Sequence, residues 1–401
     1  MNILAIANQL PMPDRASGHL RFFSILKCLA KHHNVTLAVY ASSYQQEELG
    51  IEAYNAYKQN LEGLSIAVSS QWIEAVRQSQ FDIIWFEFYF AAQNFIDLVR
   101  YYQPSAHVIV DSVDVHYNRL EAKAKLTQNK ADFALAAQVK SEELSVYQKA
   151  DVVIAVSIND KELLISNCPK TAVEIIPNIH EIPDLDERIP SNSIQLLFVG
   201  GFNHKPNVDA VLFFCNDVMP LLREHGDHIH LTIVGSSPPP EVLALSAADI
   251  TVTGFVPSVA PYYRNADIVI APLRYGGGMK GKVGEAFSFS RPVITTGFGA
   301  EGFAIEPNQH YLLANSPTEF VNAILELSQN PGLYQTIAKN AWNFIKDNYS
   351  ETAAERTINT FIGNINTVEI KRLNLFKYLS IRIKILLDRH LLWRFKNNDA
   401  S

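Results

Sequence analysis

The chain has 401 residues, enough for two domains of ordinary size. With 48% hydrophobic and 19% charged residues it reads as globular, not disordered or fibrous. A net charge of −7 excludes a general nucleic-acid binder, so no nucleic-acid partner is expected.

Asn2 to Ala7 is an apolar run that predicts a first buried strand. A loop with Pro11, Pro13, Ser17 and Gly18 follows, and His19 to Lys31 carries apolar residues at helical spacing. Val35 to Tyr40, Phe81 to Glu87 and Val108 to Asp111 read as further strands, and Gln45 to Lys58 as a polar helix or irregular segment. This alternation points to a parallel α/β sheet. Ligands of such sheets bind beyond the carboxyl ends of strands. Asp111, Asp114, His116 and Arg119, which run on from the strand ending at Asp111, are therefore functional candidates. An Asp-x-His pair can orient an imidazole and raise its basicity. Ala131 to Gln148 predicts a helix with Glu142 and Glu143 exposed. Val152 to Val156 and Val173 to Ile176 are two more strands.

Glu181 to Ser193 is rich in acids and proline and reads as a linker. Ile194 to Gly200 then opens a second α/β unit. Its Gly200-Gly201 turn leads into a helix near Pro206 or Asn207, with Lys205 in the turn. Ile229 to Val234 is a strand ending in Gly235, and Ile250 to Val252 leads to Gly254, Phe255 and Val256.

The most informative stretch is Ala271 to Gly302. A buried strand ends at Pro272. A loop with Gly276, Gly277 and Gly278 follows, then a helix from about Lys282 to Phe289. Glycines let backbone N–H groups approach an anion, and a helix N-terminus adds roughly 0.3–2 kcal/mol of favourable field. Lys280 and Lys282 add charge there, and Glu285 can accept bonds from sugar hydroxyls. A Gly-rich turn with two solvated lysines would read the same from loop chemistry alone.

The last stretch, Lys371 to Lys396, holds eight Lys/Arg against Asp388, about +7, which leaves about −14 on the rest. Phe376, Leu379, Ile383 and Leu386 share one helical face, with Lys377, Arg382, Lys384 and Arg389 off it and Trp393 near the end. A basic amphipathic helix of this kind can lie on an anionic membrane; packing on the first domain is the other reading. No run reaches the ~18 apolar residues of a spanning helix. The start lacks a basic lead-in for a signal peptide. Cys28, Cys168 and Cys215 are scattered, with no disulfide or metal spacing. A cytoplasmic protein is expected, with the tail suggesting a peripheral position at the inner face of the cytoplasmic membrane.

The run Arg274, Gly276, Gly278, Lys280, Lys282, Glu285-Ala286, then Pro292-Val293 and Gly299-x-Glu301-Gly302, resembles the donor-site signature of family 4 retaining glycosyltransferases, which have the GT-B fold. Asp111, Asp114 and His116 resemble that family's Asp-x-x-Asp-x-His segment. Ala150-Asp151, Pro177-Asn178, Gly254-Phe255-Val256 and Tyr349-Ser350 resemble further family segments, so the likeness spans roughly residues 1 to 365. It implies two Rossmann-like domains facing across a cleft and transfer of a sugar from a nucleoside-diphosphate sugar, with retention, to a saccharide or lipid-linked acceptor. Bacterial cell-surface polysaccharide or glycolipid synthesis is the setting it suggests.

By that resemblance His116, with Asp114, lies near the transferred sugar. Gly18, Gly201, Gly235, Gly276, Gly277 and Gly278 line the donor, Phe255 and Val256 lie by the nucleobase, and Glu285 holds the ribose. Phe202 stands where the family's usual arginine follows the glycine. Lys205 is the stand-in for the diphosphate, with Lys280 as competitor and Lys282 beside it. Gly277 stands where the family's common first glutamate would be. No metal is expected, since no Asp-x-Asp sits at a cleft-facing strand end, and no cofactor beyond the donor substrate is implied.

The expected layout is an acceptor domain over 1–182, a linker over 183–193, a nucleotide-sugar domain over 194–350, a helix returning to the first domain over 351–366, and the basic tail over 367–401. Two alternatives stay open. One is a nucleotide-sugar epimerase or sugar phosphorylase on the same architecture. The other is a non-catalytic GT-B binding subunit, which Gly277 motivates.

Overall fold

The computed structural model describes residues 1–185, 193–226, 228–276 and 279–398, with side chains through residue 387. Part of the expected linker, residues 186–192, lies outside the described residues, as do Gly277, Gly278 and the side chains of Arg389 and Trp393.

Two parallel sheets form the frame. The first holds β1 (Asn2–Ala7), β2 (Asn34–Val39), β3 (Ala67–Ser69), β4 (Ile83–Glu87), β5 (His107–Asp111), β6 (Val152–Ala155) and β7 (Ala172–Ile175) in the order β3-β2-β1-β4-β5-β6-β7. The second holds β8 (Ile194–Val199), β9 (Ile229–Val234), β10 (Ile250–Gly254), β11 (Ile268–Ala271), β12 (Val293–Thr295) and β13 (Leu312–Leu313) in the order β10-β9-β8-β11-β12-β13. Parallel strands need both faces covered, so their side chains are apolar on both sides. In β1, Ile3, Ala5 and Ala7 enter one core while Leu4 and Ile6 enter the opposite one. In β8, Leu196 and Phe198 face one core and Leu197 the other. Strand order reverses between β1 and β4, and again between β8 and β11. Those two switch points open crevices at the carboxyl ends of the strands.

Several elements differ from the sequence reading. The polar stretch after β2 is two helices, Ser42–Leu49 and Ile51–Gly63, separated by Gly50 at φ +81°. The edge strand β3 and the helices Trp72–Gln78 and Tyr89–Tyr102 were not expected. The first helix begins at Ser17, so Gly18 sits on its first turn and not in the loop before it. Glu143, expected to be exposed, is fully buried.

A buried ion pair ties the first sheet together. Arg21 Nη1 donates to Asp111 Oδ1 at 3.0 Å and Oδ2 at 2.8 Å, and both side chains are wholly inaccessible. Arg21 Nη2 also donates to Ile176 O at 2.7 Å. This binds the Ser17 helix, the end of β5 and the segment after β7 at one point. Asp111, a functional candidate by sequence, is therefore a structural anchor.

The C-terminal part returns to the first sheet. Helix Glu351–Asn364 lays Ala354, Ile358 and Ile362 into the core beneath β1 and β4. Lys371, counted with the basic tail, docks on this side: its N–H donates to Asp151 Oδ1 at 2.6 Å and its Nζ to Thr171 Oγ1 at 2.7 Å. The final helix, Leu375–Asn398, touches the first unit near its start, where Lys377 pairs with Asp97 at 3.1 Å and Tyr378 meets Tyr101.

Removing one partner of a buried ion pair leaves an uncompensated charge, which costs about 3–5 kcal/mol. The Asp111→Ala variant is expected to lose that much, seen as an earlier urea-unfolding transition. An unchanged midpoint would contradict the anchoring role.

Candidate functional site

The two units meet through small residues. A Cβ on Gly281 would lie 2.5 Å from Ser17 Cβ, and one on Gly284 would lie 2.3 Å from His180 Nε2. At such distances a side chain on either glycine would force Ser17 or His180 to move. Gly281 opens the helix Gly281–Ser288, and Ser17 opens the helix Ser17–Ala30. The two helix N-termini therefore abut across the interface, which brings two partial positive ends close together. Asn178 Nδ2 also donates across it, to Met279 O at 3.4 Å.

Two lysines flank Gly281, Lys280 at the N-cap and Lys282 in the first turn. Lys280 is buried, and burial pulls its ammonium below the usual lysine range, against the nearby charges of Glu301, Asp114 and Asp160. Lys282 donates to Asn207 Oδ1, and its ammonium lies 4.5 Å over the Phe198 ring. Burial first, then Lys280, pull Lys282 down to about 7. Asn207 also donates to Gly201 O at 2.8 Å, so it ties the β8 turn to the lysine. One turn on, Glu285 accepts from the Tyr263 hydroxyl at 3.1 Å. Burial pushes Glu285 up to about 7, the Tyr263 bond acting the other way.

Around the β8/β11 switch the remaining candidates fall into place. Gly235 approaches Gly200 so closely that a Cβ would lie 2.1 Å from Gly200 O. Gly201 is exposed at the end of β8. Phe202, where a basic residue was sought, is buried in the second core. Phe255 is half exposed, and the Arg15 guanidinium from the first unit lies 5.4 Å from its ring centroid. Val256 is half-buried beside it. Lys205 is exposed at the first position of helix Lys205–Phe213. The residue before it, His204, is exposed as well, at the N-cap, and feels the charges of Arg119, Lys282, Asp114 and Lys280. Desolvation of its ring, then Arg119 and Lys282, pull His204 down to about 4. No spacing in the sequence marks His204, and the cation beside it, Lys205, carries the charge expected of that turn.

On the first unit, β5 leads through Val113 at φ +56° to Asp114 and then to the helix His116–Thr127. Asp114 does not pair with His116. Its Oδ2 accepts from Arg119 Nε at 2.8 Å, and its Oδ1 is buried without a partner. The carboxylate nearest His116 is Glu143, 3.9 Å from its Nδ1. Glu143 caps the His116 helix from a neighbouring helix, Lys130–Tyr147. It accepts from His116 N at 3.2 Å, Tyr117 N at 3.0 Å and the Tyr147 hydroxyl at 2.6 Å. Gly18 lies against this segment, since a Cβ on it would meet Val113 Cγ1 at 3.4 Å. Asp114, Asp160, Lys280, Lys282, Arg119, His204 and Glu301 thus form one electrostatic neighbourhood drawn from both units. Burial raises Asp160 to about 6. The arrangement can hold an anion and hydroxyl groups between the two sheets.

Comparison with known proteins gives the following. Residues 193–330 match the family described as Glycosyl transferases group 1. An uncharacterized 44.6 kDa protein in the cps region of Klebsiella pneumoniae is 29% identical over 219 residues, 51% of this chain and 55% of that protein. An uncharacterized glycosyltransferase of Methanocaldococcus jannaschii is 28% identical over 226 residues, 51% of this chain and 56% of that one. Each match spans about half the length of the curated relative. Among solved structures, sucrose-phosphate synthase from Thermosynechococcus elongatus superposes with a TM-score of 0.66 at 15% identity, over 92% of this chain and 100% of that one. Anabaena HepE in complex with UDP and glucose gives 0.64 at 13% identity, over 90% and 99%. At such identities the likeness is one of fold, and the fold is GT-B: two Rossmann-like units with a helical C-terminal extension.

Glu143 is expected to act through structure. Glu143→Ala strands the buried Tyr147 hydroxyl, which alone costs about 1–3 kcal/mol. Glu143→Gln keeps one acceptor and should lose less. Urea midpoints of the two variants check the order; equal midpoints would contradict it.

Proposed function

We propose that this chain is a glycosyltransferase that takes a sugar from a nucleoside-diphosphate donor. The observation that carries this reading is the pair of abutting helix N-termini at Ser17 and Gly281, with Lys280 and Lys282 on either side of Gly281 and Glu285 one turn on. The match of residues 193–330 to group 1 glycosyltransferases supports it. HepE, a structure of similar fold, is described with UDP and glucose, which makes a nucleotide-linked donor the natural ligand to test.

In this mechanism the bond from the sugar's anomeric carbon to the diphosphate breaks, and the diphosphate leaves with the electron pair. The helix N-termini, Lys280 and Lys282 stabilise the charge that develops there, as a preorganised electrostatic site does. Glu285 accepts bonds from the ribose. An acceptor hydroxyl attacks from the same face, giving retention, and its proton passes to the departing phosphate oxygen. Asp114 and His116 border the transferred sugar. No side chain is assigned as nucleophile. We place the chain in family 4, as a hexosyl-type transferase acting on a saccharide or lipid-linked acceptor in cell-surface polysaccharide or glycolipid synthesis. The cps-region relative supports that setting.

The C-terminal helix bears on where this happens. Among the described residues no helix is long and apolar enough to cross a membrane. Yet Leu375, Phe376, Leu379, Ile383, Leu386 and Leu387 are all exposed on the last helix. Among the described side chains this apolar side is left open, while the helix touches the first unit through Lys377 and Tyr378. We read it as a surface for an anionic bilayer, each nearby Lys/Arg contributing about 1 kcal/mol.

Two measurements test these readings. A thermal-shift screen against nucleoside-diphosphate sugars should find one donor that stabilises the protein; about 2.7 kcal/mol is expected at 100 times the dissociation constant. Its affinity should peak near neutral pH. Ribose hydroxyls donate to ionised Glu285, so affinity climbs as pH rises toward 7. Phosphate pairs with protonated Lys282, so affinity falls as pH rises beyond 7. Glu285→Gln should erase the acid limb and Lys282→Arg the alkaline limb. A folded sample that no donor stabilises would favour a non-catalytic binding subunit. Separately, the full chain should co-sediment with anionic liposomes at low salt and release at high salt; indifference to such vesicles would end the membrane reading.

A further inference from the structure

Beside the β1/β4 switch point the chain keeps an aromatic residue where its backbone resists one. Phe88 follows β4 directly and holds φ +67°, ψ 151°. Only glycine occupies that region without strain. Val113, which follows the neighbouring strand β5, is also at positive φ despite its branched side chain. Strain at two adjacent strand ends marks a place where side-chain position matters more than backbone comfort.

The rings there form a compact wall. Phe88 stacks on Phe90 with centroids 4.9 Å apart and planes 16° apart. The His116 ring meets Phe88 at 5.8 Å, Tyr89 at 5.4 Å and Phe90 at 6.2 Å. Tyr89 is buried, whereas Phe88 and Phe90 stay partly open. Two buried polar atoms at this wall lack hydrogen-bond partners, Asp114 Oδ1 and His116 Nδ1. Arg119 occupies the other Asp114 oxygen and fixes the carboxylate. The wall therefore sets flat apolar faces near the Asp114 carboxylate, which lies two residues before His116. A pyranose ring has that complement: an apolar C–H face on one side and hydroxyl donors at its rim. The carboxylate disfavours a phosphate against the rings themselves.

We infer that Phe88 and Phe90, next to the Asp114 and His116 that border the transferred sugar, form the acceptor subsite, and that its occupant is a pyranose ring stacked on Phe88. This rests on the glycosyltransferase reading and narrows its acceptor to a saccharide that presents a sugar face at the cleft.

The experiment uses the full chain and a panel of methyl α- and β-glycosides of glucose, galactose, mannose and N-acetylglucosamine, read by saturation-transfer NMR. At least one should receive saturation on its ring C–H protons. Phe88→Gly suits the local backbone, so its melting temperature should stay within about 5 °C of the parent. Its glycoside affinity should fall at least about tenfold, while the thermal shift by the nucleotide donor persists. Phe90→Leu, a milder change, serves if Phe88→Gly fails to fold and should also weaken the glycoside. Unchanged glycoside affinity in the variants would overturn the inference. So would a protein that binds donor and none of the glycosides. Glycoside binding without any donor shift would keep the subsite and remove the transferase reading instead.

Discussion

The buried Arg21–Asp111 pair is the constraint on which the first half of the crevice depends. Arg21 lies one turn past Ser17 and Gly18, and Asp111 lies three residues before Asp114. Both side chains are out of water, so neither tolerates loss of the other. Holding them together fixes the start of the Ser17 helix against the end of β5. Gly18 then rests on Val113, and Asp114 and His116 are aimed from a known point. Arg21 also holds Ile176 O, so the path out of β7 toward His180 starts from the same anchor. From there His180 reaches Tyr349 through its backbone N–H at 2.9 Å and packs on Gly284. One ion pair thus sets where the second unit is met.

The meeting itself is made by absent side chains. Gly281 and Gly284 lie on one face of a helix, about one turn apart. Ser17 fills the space above the first and His180 the space above the second. The His180 imidazole is buried and held neutral, its pKa pulled to about 4 by burial. A neutral ring can sit in a dry contact where a charged one would be strongly disfavoured. The interface is therefore close, small and uncharged at its core, with the charged groups ranged beside it in the cleft.

Much of this was legible in the sequence, and the failures share a cause. Buried strands in a parallel sheet are short continuous apolar runs, so β1, β4, β5 and β8 declare themselves. Gly-rich turns followed by apolar periodicity declare strand-turn-helix units, and the Lys280–Glu285 spacing survives folding because it lies within one helical segment. What failed needed a partner distant in sequence. Asp114 and His116 look like a pair at spacing two, but Arg119 takes the carboxylate and Glu143 comes to the histidine from another helix. Glu143 sits in a polar stretch and reads as exposed; only the tertiary fold shows that it caps someone else's helix. Phe88 is invisible to periodicity because its distinguishing property is a dihedral angle.

The same long-range logic decides which lysine is available to an anion. Counting charge along the chain makes Lys205, Lys280 and Lys282 equivalent, and the fold separates them. Lys205 projects into solvent, where its field is screened within about 10 Å at ordinary salt. Lys280 is buried but feels the carboxylates of Asp114, Asp160 and Glu301, which favour its ammonium and at the same time oppose an arriving phosphate. Lys282 feels no such relief. Its neighbours are the neutral Asn207 amide, the Phe198 ring and the positive Lys280, and burial has already drawn its pKa to about 7. A cation desolvated without a counter-charge is destabilised until an anion arrives, so the anion recovers interaction that the protein leaves unmade. Lys282, in the first turn of the Gly281 helix, is thus the lysine of the three whose charge the folded protein leaves least compensated.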